Sequence, residues 1–139
     1  MSFIKNFCNA VATQLTEYSP TVELFANYDV GKESDLKLTI CPAANAIHRA
    51  GRGVGDDRVT IDVVVQKRVD SPTLDACEEP LNLLRDVAFK LADLNIEVNG
   101  LKYMVAEIDN SELFDEVQLE ESNVFSATMR VEYSGQFAV

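Results

Sequence analysis

"RVTIDVVVQKRV", Arg58 to Val69, sets Val59, Ile61, Val63 and Val65 on one side against Thr60, Asp62, Val64 and Gln66 on the other. A period of two with this density of β-branched residues reads as a strand, and Val64 on the second side places it centrally in a sheet. The remaining segments are read as what must surround such a strand.

Immediately upstream lies "IHRAGRGVGDDR", Ile47 to Arg58, with three glycines in five positions and the only histidine of the chain. Phosphate loops leave backbone amides free at a helix start. "GRGVG" lacks the Gly-Lys-Ser/Thr ending of a P-loop, and a strand rather than a helix follows it. Asp56 and Asp57 beside it would repel a phosphate. Residues 47–58 therefore read as a mobile connector between strands that a protein partner orders, with Arg49, Arg52, Gly53 and Arg58 as interface residues. Residues 49–68 hold five Lys/Arg against three Asp/Glu, the one basic region of the chain.

Toward the start, Phe3, Ile4, Phe7, Cys8, Val11, Ala12, Leu15 and Tyr18 recur at helical spacing, with Ser2 as the cap and Ser19-Pro20 as the stop. From Thr21 the period becomes two, and Val22–Tyr28 with Leu36–Ile40 predicts a β-hairpin that ends at Pro42. Beyond the central strand, Leu74, Cys77, Leu81, Leu84, Ala88 and Leu91 predict a second helix, whose regular part begins near Glu79 because Pro80 cannot donate its amide. Asn99-Gly100 marks a turn, "YMVAEI" (103–108) a fourth strand and "NVFSATMRVEY" (123–133) a fifth. The order α-β-β-β-α-β-β predicts an α+β fold, a mainly antiparallel sheet with two helices packed on one face, in a single domain over residues 1–139.

The net charge of −11 is unevenly spread: residues 1–68 carry 8 Lys/Arg and 8 Asp/Glu, residues 69–139 carry 4 and 15. Such a surface disfavours tight nucleic-acid binding, which depends on cations replacing condensed counterions. No stretch of about 18 apolar residues could span a bilayer, and the first fifteen residues lack a signal peptide's apolar run. Three widely spaced cysteines, Cys8, Cys41 and Cys77, predict buried reduced thiols rather than a disulfide framework or a zinc site. The acidic stretch "EIDNSELFDEVQLEES", 107–122, has no glycine for a calcium-loop turn and reads as a solvated loop. Its Asp109, Glu112, Phe114, Asp115, Glu116, Glu120 and Glu121 are assigned to an interface, where a neighbouring subunit's basic patch could meet them in a head-to-tail ring. His48 has no nucleophile or acid at motif spacing, so no catalytic, cofactor or metal residues are assigned. A small ligand-binding domain or enzyme using His48 and the glycine loop is the alternative from a different class.

The succession from 58 to 134 resembles bacteriophage tail terminator proteins, also called tail completion or head-tail joining proteins. It comprises the strong strand, the helix "LNLLRDVAFKLADL", the strand "NGLKYMVAEI", an acidic segment with Phe114-Asp115, and the strand "ESNVFSATMRVEY". Many members carry Tyr-Asp-Pro before the last strand, where this chain has Phe114-Asp115-Glu116. The resemblance implies a structural virion protein, made in the host cytoplasm. It would form a homo-oligomeric ring, commonly a hexamer, at the head-proximal end of the tail tube. Such a ring ends tube polymerisation and joins the tail to the head's connector or neck protein. It implies binding without catalysis, no cofactor and no membrane, and an acidic lumen through which DNA passes without specific binding. A neck adaptor on the head side of the same joint is the nearest alternative.

Overall fold

The computed structural model describes residues 2–28, 36–110 and 114–138. Helix α1 (Phe3–Gln14) is followed by a 3₁₀ turn (Thr16–Tyr18), strands β1 (Thr21–Val22), β2 (Lys37–Gly51) and β3 (Val54–Arg68), and helix α2 (Glu78–Ala92). Strands β4 (Ile96–Val98) and β5 (Leu101–Asp109), helix α3 (Glu116–Ser122) and strand β6 (Val124–Ala138) complete the chain. The fold is α+β, built on a six-stranded sheet of order β1-β2-β3-β6-β5-β4 that is antiparallel except where β1 joins β2.

The strand "RVTIDVVVQKRV" is central, flanked by β2 and β6. Its core side stacks across β6 as Val59–Tyr133, Ile61–Val131, Val63–Met129 and Val65–Ala127, all buried. Removing each of these larger side chains from water contributes about 1.5–3 kcal/mol. Phe7, Val11 and Leu15 of α1 and Leu84, Val87 and Leu91 of α2 join the same buried cluster. Phe7 stands edge-on to both Tyr103 and Tyr133, with centroids 5.2 and 5.0 Å away, the geometry that opposed ring quadrupoles favour.

Local signals explain the helix ends. Ser2 Oγ accepts from the Lys5 amide at 3.4 Å, and Ser19, at φ 51°, ends the 3₁₀ turn before Pro20. In α2, Cys77 is the cap and Pro80 lies in the first turn, where no helical partner for its amide is required. All three cysteines are free and buried. Burial pushes the thiols up, Cys41 to about 11 with Asp62 and Glu23 adding to the effect.

Several expectations need correction. The hairpin of Val22–Tyr28 with Leu36–Ile40 does not form. Thr21 and Val22 instead pair in parallel with Thr39 and Ile40, and Leu24 and Phe25 stand 76% and 71% exposed. Tyr28 turns inward, its hydroxyl accepting from the Arg68 amide at 3.0 Å. The intervening residues 29–35 lie outside the described residues. Nor does β2 end at Pro42. Because β1 covers only 39–40, Pro42 sits on an uncovered edge, where a missing amide breaks no ladder bond, and a bulge at Ala43 absorbs it. The segment 107–122 is not one loop. Glu107–Asp109 close β5, and α3 follows after a cap in which Asp115 accepts from the Gln118 amide at 3.1 Å. Asn123, at φ 53°, ends that helix.

Candidate assembly surface

Residues 47–58 are not a loop. They are the far end of a long two-stranded ribbon whose turn is Arg52-Gly53, and Ser134–Ala138 of β6 runs alongside β3 as a third strand. Gly53 has φ +74°, which a side chain would strain. Gly55 serves a different need: a Cβ there would lie closer than 3.0 Å to the Phe137 ring, so the glycine lets that ring lie flat on the strand. Gly135 admits the Tyr103 ring in the same way. Two of the arm's glycines are therefore packing positions, and the dense glycines do not signal a mobile connector.

The adjacent aspartates point to opposite faces of this arm and fasten both. Asp57 accepts from Tyr103 Oη at 2.5 Å and from Asn45 Nδ2 at 2.7 Å. Burial first, and then the carboxylate, push the Tyr103 hydroxyl well above its ordinary range. On the other face Asp56 is buried and accepts from the Ser134 hydroxyl and from Arg58 Nε at 2.8 Å. Ser134, then Arg58, and more weakly His48, hold its carboxyl below the usual range. Arg58 also reaches Glu132 at 3.2 Å. It is a strut within the sheet whose side chain remains 45% exposed.

Arg49, at the end of β2, and Arg52, in the turn, are exposed, and no carboxylate among the described residues pairs with either. His48 is also exposed, in register with Asp56 on the outer strand. The acidic candidates lie far away. The 15 residues of β3 span about 46 Å at roughly 3.3 Å per step, and α3 sits at the end opposite the Arg52-Gly53 turn, where Val124 pairs with Arg68. Glu116, Glu120 and Glu121 are exposed there, beside exposed Asp70, Asp75 and Glu78 and with Arg68 and the Lys67–Glu79 pair as the nearby cations. Phe114 is half exposed, its centroid 6.0 Å from that of Phe125. Asp115 is occupied as the α3 cap. Glu112 lies outside the described residues. Asp109 is paired in register with Arg130 midway along the sheet. With Asp62, Phe114, Asp115 and Arg130 it lines an open cleft of about 420 Å³, and Arg130 Nε donates to Asp62 at 3.1 Å.

One chain therefore does not bring Arg49 and Arg52 together with the carboxylates of α3; it holds them at opposite ends of its longest strands. Among the described residues, no group of three or more His, Cys, Asp or Glu side chains could hold a metal ion, and no helix is long and apolar enough to cross a membrane. Sequence reading missed the paired roles of Asp56 and Asp57, although two carboxylates of opposite parity at the base of a hairpin are a visible signal. It also missed α3, which Asp115 followed three positions later by Gln118 announces as a capped start.

No family model matches the chain, and no curated protein does. Twenty chains of solved structures match it. One of them superposes with a TM-score of 0.58 at 16% identity, over 97% of this chain and 96% of its own. At that identity the likeness is one of fold.

Proposed function

We propose that this protein is a tail terminator, a structural virion subunit that forms a homo-oligomeric ring on the end of a phage tail tube. There it stops polymerisation and receives the head's connector or neck protein. The observation that carries the reading is the polarity of the long sheet. Exposed Arg49 and Arg52, without an ion-pair partner among the described residues, mark one end, and the carboxylates of α3 and the α2 start mark the other. A ring whose axis follows the strands would present chemically different rims, which suits a part that must bind one partner on each side and refuse a second copy of itself above or below. The overall negative charge suits passage of DNA without adhesion. The chemistry is that of binding, with no reaction assigned.

The test is the length of tails assembled without this chain. The expected result is tubes longer than normal that lack heads; tails of normal length joined to heads would overturn the reading.

A further inference from the structure

Both sides of the sheet are left open. On one side β1 covers only Thr39 and Ile40 of β2, so the outer edge from Ala43 to Gly51 pairs with no described strand. On the other, β4 covers only Leu101–Tyr103 of β5, leaving Met104–Asp109 equally open. Open edges invite another strand, and proteins normally blunt them. Here the two edges differ in charge: 43–51 carries His48 and Arg49 with no carboxylate, and 104–109 carries Glu107 and Asp109 with no cation.

Topology decides their relative direction. β2 is antiparallel to β3, β3 to β6 and β6 to β5, so β2 and β5 run oppositely. Rotation about an axis along the strands preserves direction, and the β5 edge of one subunit would lie antiparallel to the β2 edge of the next. The ladders Ala46–Arg58–Ser134–Met104 and Cys41–Asp62–Arg130–Asp109 show which residues stand level. Level pairing is blocked, because β4 fills the column beside 101–103, where residues 47–51 of the incoming strand would have to run. Sliding the neighbour by four residues, or ~13 Å, draws residues 46–50 clear of β4 and keeps the faces of the two sheets matched, and strands tilted in a closed sheet supply such a stagger. His48 then falls beside Glu107 on the same face, Ala46 lies opposite Asp109, and Arg49 turns to the other face. Bulges at Ala43 and Ala106 bend both edges, as closure requires.

We infer that the joint between subunits is an antiparallel β-pairing of residues 46–50 of one copy with residues 104–109 of the next, making one continuous sheet around the ring. This rests on the ring reading above and names the partner of the arm as a second copy of this chain. The test is a His48→Cys/Glu107→Cys chain under mild oxidation, read as a ladder of linked subunits on denaturing gels. An Ala44→Cys/Glu107→Cys chain serves as the level-register control. Amide exchange of 46–50 and 104–109 is measured in parallel on the unmodified assembly. The inference expects a ladder from the 48/107 pair, none from the control, and slowed exchange at both edges. A closed oligomer that links through 44/107, or that exchanges freely at both edges, overturns the joint and leaves the ring standing. A chain that stays monomeric with and without tube overturns both.

Discussion

The same strands build two regions of opposite character. From Val59 to Val65, β3 and its β6 partners are a buried aliphatic ladder under α1 and α2. From Val54 to Arg58, the same pair runs out as an arm fastened by Asp56, Asp57 and two rings lying over glycines. The body owes its shape to non-directional burial, which tolerates some imprecision but not loss of volume. The arm owes its shape to a few directional bonds, which hold its exposed tip in place and contribute less to stability. The stability of the body and the placement of the tip are therefore separable along a single strand, and substitutions can pull them apart.

The largest effect should come from the body. Ile61→Ala leaves a cavity against Val131 and is expected to cost about 2–5 kcal/mol in denaturant unfolding. A smaller loss there would mean that the ladder is not the main source of stability. Next comes a contrast between two buried tyrosines. Tyr103→Phe removes the donor to Asp57 and should cost about 1–3 kcal/mol. Tyr133→Phe removes a hydroxyl with no hydrogen-bond partner among the described residues and should change stability by no more than about 0.5 kcal/mol. Equal losses from the two would remove the Asp57 bond from the account.

The third contrast is in pH. Because the Asp56 pKa is lowered in the folded state, its contribution is fully present above the unfolded carboxylate value of about 3.9. It is lost as pH falls through the lower folded value. The stability gap between the parent and Asp56→Asn, followed by urea unfolding, should be constant from pH 7 down to about 5 and shrink below about 4. A gap that widens with acid would reverse the sign argued for the Ser134 and Arg58 bonds. The smallest effect on folding belongs to the arm's tip. Arg52→Glu should shift unfolding by less than about 0.5 kcal/mol yet weaken association with other copies or with tube, as seen by native mass spectrometry. Undiminished association would take Arg52 out of the interface.

The sequence displayed the body more clearly than the arm, for a physical reason. Alternation in 58–69 and 123–133 and the helical spacing in 3–15 and 81–91 record burial directly, and the sheet's centre and both main helices follow from them. The arm has almost no aliphatic core, so its strands carry no alternating apolar signal. Its glycines resemble those of a connector until Phe137 and Tyr103, from β6 and β5, are seen lying over Gly55 and Gly135. The Val22–Tyr28 alternation misled because periodicity reports a tendency to extend, and cannot say whether an edge is free to receive the strand. Of the candidate residues, Arg49, Arg52, Glu116, Glu120 and Glu121 are exposed, and Arg58 and Asp115 are exposed but also bonded within the chain.

The measurement that bears most directly on the account is the native mass of the purified chain, alone and mixed with tail tube. A closed oligomer of identical subunits, free or seated on the tube end, is the predicted result. A monomer at every concentration that never binds the tube would contradict it.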